Sequence, residues 1–367
     1  MLYYLSRLSG EFGALNVFRY DTFRALAAAL TSLLLSFALG PRIILLLTRL
    51  KLGQPLRQKS EVRELADLHS GKKGTPTMGG ILILATVLIS SLLWCDPANH
   101  LYWLVLGSML YLGFIGFADD FEKVAKKNSK GIRGWQKLAA QLLLAIFVYI
   151  YLNLPSFSFS GEFTSLYIPF LKTPLALDMG IFTVVFFALV IMGTSNAVNL
   201  TDGLDGLAIG CSISVFVTYA IFCYVAGNFR IATYLLLPPV SGAGDLGVFC
   251  AALAGSGLGF LWFNCHPAQV FMGDTGSLSL GGALGVIAIC VHQELALIIA
   301  GGVFVLEAGS VLIQVASFKL TGKRVFLMSP LHHHFELKGW NETTVTVRFW
   351  IMGLLASLMA LATLKLR

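Results

Sequence analysis

The sequence predicts an all-α polytopic membrane protein of about ten transmembrane helices. Three observations predict it. Of 367 residues, 56% are hydrophobic and only 12% are charged, half the charged fraction of about 25% in a soluble domain. The apolar residues form continuous runs of bilayer length, without the alternation of a barrel strand, so each run is a helix. The runs extend from end to end, which makes one integral-membrane domain over 1–367 the expected organisation.

In chain order, the first twenty residues mix Arg7, Glu11 and Arg19 with scattered aromatics, unlike the apolar core of a signal peptide. The first span begins near Thr22. Runs near 22–47, 78–94, 101–117, 138–154, 177–193, 207–226, 246–262, 278–291, 295–318 and 345–364 are the expected spans. The eighth is short and lies close to the ninth. The loop between spans 1 and 2 carries seven Lys or Arg, that between spans 3 and 4 six, and that between spans 9 and 10 four. The opposite side carries six in all, among them Lys172 and Arg230. By the positive-inside rule the rich side is cytoplasmic and both termini are external. The external segment 155–176 reads as a surface loop with a short hairpin. Gly255, Gly257 and Gly259, and Gly281, Gly282 and Gly285, read as close-packing positions between helices in lipid. The six cysteines form no Cys-x-x-Cys pair and read as buried free thiols.

Every polar motif falls on the cytoplasmic side of this topology. Asp119-Asp120 ends span 3. Asn199-Leu-Thr-Asp202-Gly-Leu-Asp205-Gly joins spans 5 and 6, and Asn264 with Phe271-Met-Gly-Asp274 joins spans 7 and 8. These two acidic loops contain no Lys or Arg. Carboxylates at span ends are costly near hydrocarbon, roughly 2.5–3.5 kcal/mol each at a helix centre. A divalent cation would offset their repulsion, and Mg²⁺ prefers one or two carboxylates plus substrate phosphates, so Asp274 with Asp119 or Asp120 suits it. The ordinary alternatives are a solvated helix terminus for Asp119-Asp120 and helix capping for the other aspartates. Lys72 and Lys73 precede Gly74-Thr-Pro-Thr-Met-Gly-Gly80, which is not a Walker A loop but places cations where a phosphate or anionic lipid could bind. His332-His333-His334 lacks the spacing of a zinc site and suits hydrogen bonding to a phosphate or sugar. A transporter would keep its ionisable residues near mid-span. Nucleic acid is not an expected partner.

Taken in order, Gly74–Gly80, Asp119-Asp120, Asn196–Gly206, Asn264 with Phe271–Asp274, and Pro330-Leu-His-His-His-Phe-Glu336 resemble the polyprenyl-phosphate hexose-1-phosphate transferase superfamily. The histidine segment is similar to its phospho-N-acetylmuramoyl-pentapeptide transferase branch. The resemblance implies transfer from UDP-MurNAc-pentapeptide to undecaprenyl phosphate, giving lipid I and UMP, in the inner (plasma) membrane of a bacterium. It implies Mg²⁺ as cofactor, with Asp274 as ligand and Asp119 and Asp120 beside it. It implies catalytic roles for Asp119, Asp120, Asp274 and His333. Lys73, Lys123, Lys137, Asn199, Asp202, Asp205, Asn264, Phe271, Gln314, His332 and His334 are the implied substrate-binding residues. The lipid bilayer is the expected setting, and a homodimer is an assembly it allows.

Overall fold

A computed structural model describes residues 2–50, 74–126, 131–154 and 163–366. Two 3₁₀ segments, Leu2–Gly10 and Gly13–Arg19, lead into α1 (Asp21–Arg49). Then follow α2 (Gly80–Trp94), α3 (His100–Ala125), α4 (Gly134–Leu152), α5 (Phe182–Thr201), α6 (Leu207–Gly227) and the short α7 (Phe229–Tyr234). The chain continues with α8 (Ala243–Asn264), α9 (Gly273–Cys290), α10 (Glu294–Ala300), α11 (Gly302–Thr321), α12 (Leu331–Leu337) and α13 (Glu342–Ala362).

Among the described residues, nine helices are long and apolar enough to cross a membrane: α1, α3, α4, α5, α6, α8, α9, α11 and α13. The tenth expected span is α2, whose 15 residues reach about 22 Å at 1.5 Å per residue, less than the roughly 30 Å of a hydrocarbon core. The expected ninth span is broken at Gly301 into α10 and α11. Hydropathy stays high through Gly301 and so cannot register the break. The expected eighth span starts five residues early, at Gly273, because its Gly-, Ser- and Thr-rich first turns are weakly apolar yet buried.

The core lies along α8 and α9. Every residue of α9 from Thr275 to Cys290 is buried. Helix α8 packs against α1 and α6, and α9 against α3 and α5. The outer helices turn large apolar side chains outward, such as Leu26 and Leu34 of α1, Leu189 of α5, and Leu312 and Leu320 of α11. A soluble protein rarely exposes apolar surface on this scale. The exposed belt and the spans mark a multi-pass membrane protein.

Small residues bring the central helices together. A Cβ on Gly255 would lie 2.1 Å from the Ala29 carbonyl, one on Gly259 2.3 Å from Ser36 Cβ, and one on Gly281 2.5 Å from the Thr194 carbonyl. Lipid tails are as apolar as the helix surfaces, so close packing and hydrogen bonds must hold the helices together. Ser90 Oγ donates to the Ala28 carbonyl (2.7 Å), and Gln141 links Ser195 and Asn196 at 2.9 Å each. Gly255→Val is expected to separate α1 from α8 and cost about 1–3 kcal/mol, read as a lower melting temperature in detergent. An unchanged melting temperature would contradict the close contact.

At one end of the bundle Arg24 is buried. Its guanidinium contacts Asp245 of α8 and Asp21 of α1, the latter at 2.5 Å, and donates to the Trp94 carbonyl at 3.2 Å. Asn99, which caps α3, donates to Asp245 at 2.9 Å. The starts of α1, α3 and α8 and the end of α2 are tied there. The described part of the expected external hairpin is a single antiparallel bridge, Leu166 with Ala176. All six cysteines are free, and five are buried as expected; Cys265 is exposed.

Candidate active site

The acidic motifs meet at the other end of the bundle. Helix α3 runs on to Ala125, so Asp119 and Asp120 lie inside it, 0% and 3% exposed. A solvated helix terminus is therefore excluded. Gly116, one turn earlier, lets α3 meet the first turn of α9: a Cβ there would sit 2.1 Å from the Asp274 carbonyl. Adjacent helix positions diverge, and the two aspartates do different things. Asp120 accepts from the Asp274 N–H (3.1 Å), the Thr275 N–H (2.9 Å) and the Thr275 hydroxyl (2.8 Å), and so caps α9 from a neighbouring helix. Asp119 accepts the Ile132 N–H through Oδ1 at 2.7 Å and turns Oδ2 toward two lysines.

Lys123 Nζ lies 2.6 Å from Asp119 Oδ2 and 3.1 Å from Asp274 Oδ1. Lys137 Nζ, from the first turn of α4, lies 2.9 Å from Asp119 Oδ2 and 2.6 Å from Asp274 Oδ2. Asp119 Oδ2 is buried and faces both ammonium groups. Oxygen atoms from Asp119, Asp120 and Asp274 lie within 4.8 Å of one another. That all-oxygen donor set fits a hard divalent cation. The two ammonium groups supply the counter-charge and would share the carboxylates with such a cation.

The Gly74–Gly80 motif holds this corner in place. Phe271 N–H donates to the Pro76 carbonyl (2.8 Å), Gly79 N–H to the Phe271 carbonyl (2.8 Å) and Gly80 N–H to the Met272 carbonyl (2.9 Å). Gly273 has a φ of +72°, a conformation that costs any residue with a Cβ. Lys73 lies outside the described residues.

Residues 199–206 close the other side. Asn199 donates to Ser277 Oγ of α9 at 2.8 Å. Asp202 follows the last turn of α5 and receives the Gly273 N–H. Its carboxyl is pushed up to about 8, by burial first and then by the charges of Asp274 and Asp120. Its bond to Gly273, next to Asp274, sets it beside the carboxylate centre. Asp205 Oδ2 faces His266 Nδ1 and accepts the Ala268 N–H, both at 3.1 Å. Glu342, at the start of α13, accepts the Asp205 N–H at 2.8 Å. Asn264 accepts the Gly206 N–H (3.1 Å) and donates to the Val270 carbonyl (2.8 Å). Its contacts are thus to the backbone of both acidic loops.

The raised Asp202 carboxyl gives a signed prediction. A group neutral in the fold at pH 7 but ionised in the unfolded chain destabilises the fold increasingly as pH rises from about 4 to 8. Above 8 the penalty is constant. The melting-temperature advantage of Asp202→Asn over the parent, measured without ligand, is expected to widen between pH 5 and 8 and then level off. A gap that narrows over this range would contradict it.

The three histidines take different hydrogen-bond partners. His332 Nδ1 pairs with Glu307 at 3.2 Å, His333 Nδ1 with Glu336 at 2.8 Å, and His334 Nδ1 accepts the Leu327 N–H at 3.1 Å. Gln314 accepts the Val325 and Phe326 N–H groups at 3.0 Å and donates to the Phe326 carbonyl at 3.1 Å. It holds the loop after α11, and its amide is occupied there in this state. Sequence reasoning missed Thr275, His266, Glu342 and Glu307. His266 and Glu342 join Asp205 in a second group whose ligand atoms lie within 4.8 Å. The only signal in the chain was a lone acid at the start of the last span and a lone histidine in a loop without Lys or Arg.

Fold and site together define an integral-membrane protein with a lysine-neutralised carboxylate centre at one end of its helical bundle. The glycosyl transferase family 4 model matches residues 102–292, just over half of the chain, and a phospho-N-acetylmuramoyl-pentapeptide-transferase signature matches residues 72–84. Proteins named phospho-N-acetylmuramoyl-pentapeptide-transferase from Methylacidiphilum infernorum and Syntrophus aciditrophicus are 58% and 51% identical to it, and one from a Geobacter species is 50% identical. Each alignment covers the whole of both chains. The chain belongs to the phospho-N-acetylmuramoyl-pentapeptide-transferase family.

Proposed function

We propose that this protein transfers phospho-MurNAc-pentapeptide from UDP-MurNAc-pentapeptide to undecaprenyl phosphate, forming lipid I and releasing UMP. The observation that carries this reading is the Asp119, Asp120 and Asp274 centre threaded by Lys123 and Lys137. The names of the full-length relatives support the choice of substrates. An anionic oxygen of the lipid phosphate attacks the phosphorus that carries the sugar. The bond from that phosphorus to the oxygen of the uridylate phosphate breaks, and UMP leaves with the electron pair. The attacking oxygen is already ionised at neutral pH, so no proton has to move. Phosphoryl transfer then asks mainly for positioning and charge neutralisation.

Lys123 and Lys137 bind phosphate oxygens, and Asp119 keeps both ammonium groups at the centre. Mg²⁺, held by Asp274 with Asp119 and Asp120, would neutralise charge on the diphosphate when bound. Asp120 fixes the first turn of α9 and so the place of Asp274. Asn199, Asp202, Asp205, Asn264 and Phe271 form the nucleotide side, and His333 and His334 the sugar side. Lys73 joins the phosphate side. The Lys and Arg bias of the loops supports a site on the cytoplasmic face with both termini external, and the relatives' names support a bacterial inner membrane as the setting.

The test offers purified protein, Mg²⁺ and undecaprenyl phosphate each UDP-sugar in turn and measures UMP. Release from UDP-MurNAc-pentapeptide alone is expected. Release from UDP-GlcNAc instead would make it a GlcNAc-1-phosphate transferase. Isolation of a phospho-enzyme at Asp119 or Asp274, turning over at the catalytic rate, would replace direct attack by two steps.

A further inference from the structure

Glu307 has no part in the mechanism above, yet it is a fully buried carboxylate inside a membrane-spanning helix, 0% exposed. The buried residues of α11 are Val303, Phe304, Glu307 and Ser310, one stripe facing the bundle. An ionisable group kept in a span needs a partner that accounts for it. Here the partner is His332 of α12. Its main-chain N–H donates to Glu307 Oε1 and its ring Nδ1 meets Oε2, both at 3.2 Å. A carboxylate oxygen accepts, so this pairing puts a ring proton on Nδ1.

Nε2 is buried and has no hydrogen-bond partner among the described residues. It is aimed at Gly203, in the turn between Asp202 and Asp205. A Cβ on Gly203 would lie 2.3 Å from Nε2 and 2.9 Å from the adjoining ring carbon. The absent side chain of Gly203 is what gives the imidazole edge room beside this turn. An unpaired buried nitrogen is kept at a cost, and the contact with Gly203 gives it a use.

We propose that Glu307 is a positioning residue for the nucleotide-side turn. By holding His332 in the Nδ1–H tautomer it leaves a bare Nε2 against which Gly203 seats, and this fixes how Asp202 and Asp205 stand toward the nucleotide sugar. A carboxylate that selects an imidazole tautomer has the same logic in hydrolase triads. The inference rests on the proposed reading of this turn as the nucleotide side of the site.

The test uses full-length protein labelled with ¹⁵N-histidine, the His332 signal being the one lost in His332→Asn. The Nδ1–H tautomer is expected in the parent. In Glu307→Gln the amide NH₂ faces Nδ1, so the proton moves to Nε2. Affinity for UDP-MurNAc-pentapeptide is expected to fall at least about fivefold while kcat stays within about twofold. Gly203→Ala is expected to weaken the same affinity, and His332→Ala in that background to add less than its own effect. A parent Nε2–H tautomer would overturn the proposal. So would a tautomer change that leaves affinity untouched, or full additivity of the Gly203 and His332 variants. If Glu307→Gln does not fold, the parent spectrum and the Gly203 variants still decide. A parent protein that releases no UMP refutes the proposed reaction but leaves the tautomer result standing.

Discussion

Asp274→Asn is expected to lower UMP release by at least about a hundredfold. Loss of supporting groups around a bound metal already costs 10–100-fold, and Asp274 is here a proposed ligand. Asp274 is the one carboxylate of the centre that meets both Lys123 and Lys137 through separate oxygens, at 3.1 and 2.6 Å. Asparagine keeps the shape and removes the charge that orders both ammonium groups. The melting temperature should move little, because Asp120 still caps the Asp274 and Thr275 N–H groups. Asp178→Asn, in the loop before α5, is the control and should leave release unchanged. Release by Asp274→Asn within a few-fold of the parent would remove Asp274 from the mechanism.

Asp245→Ala is expected to be the most damaging single change to the fold. Arg24 is 4% exposed, and removing Asp245 leaves its buried guanidinium with Asp21, the Trp94 carbonyl and the Tyr3 ring. Breaking one side of a buried ion pair costs about 3–5 kcal/mol. The same change removes one of the two acceptors of the Asn99 amide and the acceptor for the Asp96 N–H. Adding Arg24→Leu should recover part of the loss, since the stranded charge goes with it. Thermal unfolding in detergent of the two single variants and the double variant measures this. A double variant no better than the sum of the singles would mean that the charge pair is not the source of the effect.

Much of the fold was legible in the chain. Span length and continuity depend only on how many apolar residues follow one another, and nine of the ten expected runs overlap helices long enough to cross a membrane. The exceptions have local causes. Helix α2 starts late because Pro76 and Gly79 pair with Phe271 instead of joining the helix. Gly301 divides α10 from α11 without any drop in hydropathy. Helix α9 begins early because Asp120, more than 150 residues away in the chain, caps it.

The candidate site was legible as a set of residue types and positions. Paired Asp, the spaced Asn and Asp of 199–205, and Gly-Asp at 273–274 all stood at span ends on one side, and that was enough to bring Asp119, Asp120 and Asp274 together in expectation. What each one does was not legible. Asp119 and Asp120 are neighbours in sequence, yet one holds lysines and the other caps a helix, because adjacent helix positions point about 100° apart. Gln314 and Asn264 are drawn into backbone contacts that no motif announces.

By itself, then, the sequence determined the membrane class, the approximate spans and the carboxylates of the centre, since these follow from composition and order along the chain. Only the tertiary structure decided that Lys123 and Lys137 neutralise that centre and that Asp202 stands beside it. It alone seated Glu307 behind His332, under Gly203. Such pairings join residues from 4 to more than 150 positions apart, and they are set by how glycine-lined helices approach one another, a distance that no local pattern carries.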